Sequence, residues 1–404
     1  MAATLKVTDS IERAGFPLAF KVAQGRARSP LLGTAGATDT LKVEVRAMGG
    51  HQKECVVTDG VTGSAWRMVS DEGAGLNGSD LAPFPLAFMN AGLQAELQGR
   101  IMCLAGVRGI PIDTLRTRLV NRYAFEGSFF RGTGVGSALA PVFRVQAGSP
   151  ATAAALRDLV DAAAAASPLL AAVRGKLQNT FALYVNGQRR TPLQVLPSGN
   201  ADAPDPLKSW NGVPQPLAGA EGLIDVVAKL APPPPVTGPG RPPMTPDADV
   251  RFGIEICGES AGEGGITSSQ SWAEKPHGSR FGIKSDERAG ADAAPSGLAL
   301  AAAGVAFCLM TQLLRYAEFR KYQIRAVRLV QYWPMHQSVA GSGAASVLTG
   351  ASGNLDTHVF LHGEETDENM GHLLLSSANT CYLHAMLGAA LEPQIELEAD
   401  TVPA

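Results

Sequence analysis

Thiol chemistry needs a thiolate to attack an electrophilic oxygen or sulfur, and a second thiol within reach to resolve the sulfenic acid that forms. The chain holds five cysteines, Cys55, Cys103, Cys257, Cys308 and Cys381. An odd number scattered over 404 residues is the wrong pattern for a disulfide-stapled secreted scaffold, so reduced thiols are expected. Their plain alternative is packing, because free cysteine is among the most buried residue types. His384 lies three residues after Cys381, on the same face if one helix carries both, where it can lower that thiol's proton affinity or donate a proton. His372 lies nine residues before Cys381, and both histidines have a bland reading as capping or surface groups. Glu96 poses a different question, since a carboxylate in a largely apolar helix is costly to bury unless paired or protonated. It is an acid or base on a pocket wall between lobes, or it lies at the helix's wetter end beside Gln94 and Gln98, or it pairs with Arg100. Cys308, Cys381 and His384 carry metal-ligating atoms, but no CxxC or HExxH spacing accompanies them, and no metal or organic cofactor is expected.

The elements that must position these residues repeat along the chain. Gly63-Ser64-Ala65-Trp66-Arg67-Met68-Val69-Ser70-Asp71-Glu72 is followed by a Gly-rich loop, Ala82-Pro83 and a long apolar helix. Gly278-Ser279-Arg280-Phe281-Gly282-Ile283-Lys284-Ser285-Asp286-Glu287 is followed by a loop, Ala294-Pro295 and a second such helix. Asp71-Glu72 and Asp286-Glu287 are expected to fix the turn before each helix. Downstream of both come a strand (117–125; 324–332), another strand (141–146; 355–361), a helix (151–166; 368–380) and a closing strand (180–185; 394–398). That order predicts an α+β fold with helices laid on antiparallel sheets. Eight prolines between Ala231 and Pro246 mark a boundary, because proline blocks helix and leaves an extended spacer. The division expected is 1–40, an extension; 41–192, a first domain; 193–247, a Pro-rich linker with one short amphipathic helix at 221–230; and 248–404, a second domain.

The run Ser-Asp-Glu, Gly-rich loop, Ala-Pro and an apolar helix carrying Cys308 and, eight residues on, Tyr316-Ala317 resembles the OsmC/Ohr family of thiol-dependent peroxide reductases. The resemblance covers roughly 41–192 and 248–398 and implies two OsmC-like domains in tandem, folded as an intramolecular pseudo-dimer around long buried central helices. It places an attacking thiol at Cys308, 13 residues after Pro295, and a resolving thiol at Cys381, 73 residues further on. In the first copy the same count from Pro83 gives Glu96, and the second position, in Ala165-Ala166-Ser167-Pro168, is Ser167, so that copy's site is degenerate. The family supports its thiolate with an arginine from the N-terminal part of the domain, for which Arg251 and Arg280 are candidates by region, and often with a glutamate where this chain has Pro295-Ser296-Gly297. Tyr382 stands where the family usually has proline after the second cysteine. Cys55, Cys103 and Cys257 match no family site. The function implied is a thiol-dependent peroxidase or related thiol oxidoreductase acting on an organic hydroperoxide or similar small oxidised molecule, with a dithiol as reductant. The alternatives are a cysteine-dependent non-redox enzyme on a specialised metabolite, using Cys308 with Glu96 or His384 as acid or base, and a non-catalytic ligand-binding protein.

A net charge of −3 supplies no basic footprint for nucleic acid or an anionic membrane, so neither partner is expected. Residues 1–33 lack a basic flank, unbroken apolar stretch and small-residue cleavage site, and a cytoplasmic location is expected. The most apolar run, 297–310, is 14 residues, short of the ~20 that span a bilayer, and reads as a buried core helix.

Overall fold

The computed structural model describes residues 9–25, 37–129, 131–210, 214–217, 225–233, 252–263, 265–288, 292–341 and 347–401. The first half contains the turn α1 (Ile11–Ala14), strands β1 (Ala19–Ala23), β2 (Ala37–Ala47), β3 (Lys53–Thr58) and β4 (Ala65–Ser70), helix α2 (Pro85–Arg108), strands β5 (Thr114–Glu126), β6 (Val135–Ala138) and β7 (Val142–Ser149), helices α3 (Ala153–Ala166) and α4 (Pro168–Arg174), and strands β8 (Asn179–Val185) and β9 (Gln188–Arg190). The second contains β10 (Val227–Ala231), β11 (Phe252–Glu263), β12 (Ile266–Lys275), β13 (Arg280–Asp286), α5 (Gly297–Arg320), β14 (Ile324–Ala340), β15 (Val347–Ser352), β16 (Leu355–Gly363), α6 (Asp367–Thr380), α7 (Tyr382–Gly388) and β17 (Gln394–Thr401). The fold is mixed α+β, with two sheets dominated by antiparallel pairs.

Each sheet draws strands from both halves of the chain. One runs β1-β4-β3-β2-β14-β16-β8-β9 with β15 on β14; the other runs β10-β13-β12-β11-β5-β7-β17 with β6 on β5. The seam of the first is the antiparallel pair β2/β14, with Val45 opposite Leu329, and that of the second is β5/β11, with Val120 opposite Cys257. Both contain one parallel pair, β16/β8 and β17/β7.

Between the sheets lie α2 and α5, packed on each other, with α5 against β2, β3 and β14 and α2 against β5, β11, β12 and β13. Pro85 opens α2 at a position whose amide has no helical partner, and Gly109, at φ 65°, closes it. Ser296 caps α5 by accepting from the Ala299 amide. These helices are apolar almost all round, which suits an interior position rather than a half-buried one. They approach closely because glycine faces backbone. A Cβ at Gly92 would stand 2.6 Å from the Gly297 carbonyl and 2.8 Å from the Ala301 amide, and one at Gly304 would stand 2.9 Å from the Met89 amide and 3.0 Å from the Pro85 carbonyl. The two contacts are related by one count: Gly92 and Gly304 each lie nine residues after Pro83 and Pro295, and their partners lie two and six residues after the opposite proline.

Helix α5 carries the apolar run 297–310 and Tyr316-Ala317 and extends 24 residues to Arg320; it is long and apolar enough to cross a membrane by composition, yet its apolar stretch is wholly buried in the protein. Two expectations need correction. The helix expected at 221–230 is replaced, over Val227–Ala231, by edge strand β10 paired with β13, because tertiary ladder bonds outweigh a short helical pattern; residues 221–224 lie outside the described set. The segment assigned to an extension supplies β1, which pairs with β4 as β10 pairs with β13. Linker residues also dock: Asp205 takes two bonds from Arg328, and Trp210 packs under Arg46.

Candidate functional site

Cys308 sits midway along α5, and Cys381 sits where α6 breaks into α7, with φ −77° and ψ 109°. The break is built by local signals: Thr366 caps α6 by accepting from the Asn369 amide, and α7 restarts at Tyr382. The two cysteines, 3 % and 0 % exposed, are brought toward each other by the packing of α5 on α6 and α7, and each lies within the other's field. All five cysteines are free thiols. Burial, then the adjoining Cys308 thiol, raises the proton affinity of Cys381 well above the ordinary thiol range, while the amides of His384 and Leu383 pull against it.

His384 completes this side of the site. Its Nδ1 lies 3.1 Å from the Cys381 sulfur, and its buried Nε2 has no partner. Burial lowers its pKa to about 3, so the imidazole is neutral at physiological pH and can exchange a proton with Cys381 but cannot supply a fixed positive charge. Tyr123, turned inward by the alternation of β5, lies 5.6 Å from Tyr382 with the rings tilted at 46°, and burial, with both thiols adding to it, holds its phenol protonated.

The charge near the thiols comes from Arg315, which sequence reading missed. It lies seven residues after Cys308, two turns along α5, and helical side chains lean back toward the N-terminus, so its reach is toward the cysteine. Its guanidinium lies 5.0 Å from the Phe129 ring centre and donates to Gln312, whose Oε1 also accepts from Thr380, the residue before Cys381. Burial lowers the proton affinity of this guanidinium, and Tyr382, Glu72 and Cys308 raise it. The i, i+7 spacing was the available signal. Of the arginines proposed from sequence, Arg280 stacks on Trp272 at 3.9 Å on the sheet, and Arg251 lies outside the described residues.

Glu96 is not beside Cys308. It is 1 % exposed, pairs with Arg100 Nε at 2.7 Å, and accepts a very short hydrogen bond from Ser167 Oγ. The paired reading of this residue therefore holds, although no wet helix end surrounds it. Ser167 sits at the α3/α4 break with φ −78° and ψ 112°, nearly the torsions of Cys381, and Thr152 caps α3 as Thr366 caps α6. A carboxylate, a hydroxyl and a guanidinium thus meet at a helix junction of the kind that brings the two thiols together.

The remaining candidates are accounted for locally. His372 is exposed and stands 3.9 Å from Glu368. Asp71 and Asp286 do fix their turns, accepting from the amides of Leu81 and Ala293, but the glutamates reach further: Glu287 accepts from the Gly297 amide, and Glu72 from Lys53 and Thr311. Cys55 and Cys257 are packed in β3 and β11, and Cys103 is half-buried on α2. A small cleft lined by residues that include Val57, Asp59, Trp66, Asp286, Asp292 and Ala299 contains neither redox candidate. Among the described residues no group of three or more His, Cys, Asp or Glu side chains has metal-holding geometry.

Fold and site define an α+β protein with a buried, adjacent pair of thiols. No protein-family model matches the chain, and no curated protein does. Among solved structures it is similar to an OsmC-like hydroperoxide resistance protein from Jannaschia sp. CCS1, at 24 % identity over 33 % of this chain and 85 % of that one, with a TM-score of 0.22.

Proposed function

We propose that this chain is a thiol-dependent peroxidase or related thiol oxidoreductase with one working site, at Cys308 and Cys381. The observation that carries this reading is that two buried thiols, distant in sequence, lie within each other's field where α5 packs on α6 and α7, with His384 3.1 Å from one of them. The Cys308 thiolate attacks the distal oxygen of a hydroperoxide, releasing the alcohol and leaving a sulfenic acid. The Cys381 thiol then attacks the Cys308 sulfur, and water leaves as the disulfide forms. Two electrons from an external dithiol return both sulfurs to thiols and leave that dithiol oxidised. A bulky apolar hydroperoxide fits the aromatic surroundings of Tyr123, Tyr382, Phe129 and Tyr316. Free thiols throughout accord with a reducing compartment, the cytoplasm.

The architecture we propose is two tandem OsmC-like domains forming a pseudo-dimer within one chain. Its support is the repeated strand order of the two sheets, the reciprocal glycine contacts of α2 and α5, and the matched helix breaks at Ser167 and Cys381. The cysteine-dependent non-redox alternative loses Glu96 as its acid or base and retains only His384 beside the thiols.

Supplied with cumene hydroperoxide and dihydrolipoamide, the wild-type protein should consume both one for one over many turnovers. A rate no faster than that of dithiol and peroxide alone would sink the peroxidase reading.

A further inference from the structure

The layers that seat the two central helices are opposite in character. On α2, Asn90, Gln94 and Gln98 stand seven, eleven and fifteen residues after Pro83, and the same counts from Pro295 on α5 give Ala302, Ala306 and Met310. The strands beneath follow the same division. Under α2, Leu119 pairs with Gly258 and Thr117 with Ser260; at the equivalent rungs under α5, Gln331 pairs with Val43 and Leu329 with Val45. Leu119 and Gln331 excepted, amide, hydroxyl or bare backbone in one layer stands where the other has an apolar side chain.

The amides of α2 reach strand β11 of the second half. Gln98 Nε2 donates to Ser260 Oγ at 2.9 Å, and Thr117 Oγ1 lies 2.7 Å from that hydroxyl. Gln94 Nε2 donates to the Thr117 carbonyl at 3.1 Å, which holds its Oε1 over Gly258, where a Cβ would collide with that oxygen. Both side chains are buried, and Gln94 Oε1 and Gln98 Oε1 find no hydrogen-bond partner among the described residues. Buried acceptors left over in this way cost stability, so stabilisation does not account for the amides. Fit to one sheet and not the other does. Val43 and Val45, the first half's own residues at these rungs, would set branched side chains against Gln94 and Gln98 and offer no hydroxyl in place of Ser260.

We infer that the amide face of α2 is a recognition surface for the sheet of the unlike half, and that it rejects the like half of a second copy, so the chain closes on itself rather than pairing like with like across two copies. The inference rests on the tandem pseudo-dimer reading and is independent of the thiol chemistry. Helix α5 discriminates in the converse way. Its alanines, set against Gly258 and Ser260 of a second copy, would leave space unfilled and a hydroxyl unpaired.

The test has two arms. In the uncut chain, Gly258→Val sets the like half's residue against Gln94 and should lower the urea midpoint by about 0.5 M or more. Adding Gln94→Ala, which gives α2 the residue that α5 has at this place, should return at least half of the loss. In the second arm a protease site is placed within 232–243, the folded chain is cut there, and both pieces are unfolded in urea and refolded together. Native mass spectrometry separates the three pairings, because the pieces differ in length. Wild type should favour unlike over like pairs by about 100-fold or more, and Asn90→Ala with Gln94→Ala and Gln98→Met, which gives α2 the face of α5, should lower that ratio by about tenfold or more. A merely structural role for the amides would move the midpoints and leave the ratio in place. The inference is overturned by a triple variant that pairs as selectively as wild type, by a Gly258→Val chain as stable as wild type, or by a Gly258→Val loss that Gln94→Ala does not relieve. If the cut pieces do not reassemble, the uncut arm alone decides. Like pairs as abundant as unlike ones in wild type would remove the pseudo-dimer reading as well. Neither arm uses peroxide, so neither depends on Cys308 or Cys381.

Discussion

Exposed to one equivalent of cumene hydroperoxide, the Cys381→Ser protein is expected to gain a single oxygen at Cys308 and stop there, advancing to sulfinic acid with excess oxidant. The Cys308→Ser protein should lose its fast reaction by a factor of about 10³ or more. The asymmetry follows from the environments of the two sulfurs. Cys308 lies midway along α5, on the same helix as Arg315. Cys381 is fully enclosed, its proton affinity raised by burial and by its neighbour, and its contact with His384 is to a neutral ring. The second sulfur is thereby suited to wait as a thiol until Cys308 carries a leaving oxygen. Serine at 381 keeps the size of the side chain and removes the only described thiol next to Cys308, so nothing nearby resolves the sulfenic acid. Intact-mass measurement over the course of the reaction distinguishes these outcomes. A Cys308→Ser protein that reacts as fast as wild type would reverse the assignment.

The second large effect concerns stability. Gly304→Leu places a Cβ 2.9 Å from the Met89 amide and 3.0 Å from the Pro85 carbonyl, both backbone atoms that cannot rotate away. Three further carbons must then enter a helix crossing with no room for them. The expected loss is about 3 kcal/mol or more, at the upper end for overpacked cores, because α2 and α5 have to separate along their length. Gly106→Ala provides the contrast: it lies on the exposed end of α2 with nothing within 4 Å of the new Cβ, and removing a helical glycine should stabilise by about 0.5–1 kcal/mol. Urea unfolding of the three proteins reports both values. If Gly304→Leu unfolds within about 0.5 kcal/mol of wild type, the close crossing of the central helices is wrong.

How far the sequence carried the structure depended on the range of the interaction involved. Strands at 117–125 and 324–332 and helices at 151–166 and 368–380 were legible because period-2 and period-3.6 patterns are local, and the structure extends or trims them by a few residues. The pairing of β2 with β14 and of β5 with β11 joins segments hundreds of residues apart or across the linker, and nothing in either strand alone specifies its partner. Edge strand β10 was misread for the same reason: Val227–Ala231 adopts its form only because β13 offers a free edge. The most apolar run, 297–310, is shorter than α5 because the helix's last turns carry Gln312, Arg315, Glu318 and Arg320, which lower the apolar signal without breaking the helix. At the site, Cys308, Cys381 and His384 were named from sequence and lie together. Glu96 was named too, but it meets Arg100 and Ser167 instead. Arg315 was missed because the search for a supporting cation looked upstream of Cys308 rather than two turns further along its own helix.

The central claim is that Cys308 and Cys381 act as one redox pair, and non-reducing peptide mapping of the oxidised protein tests it most directly. After treatment with a stoichiometric organic hydroperoxide and alkylation of the remaining thiols, one disulfide-linked pair of peptides containing Cys308 and Cys381 is expected, with Cys55, Cys103 and Cys257 recovered alkylated. Recovery of Cys308 and Cys381 as free alkylated thiols, or a bridge that joins either of them to one of the other three, would contradict the account.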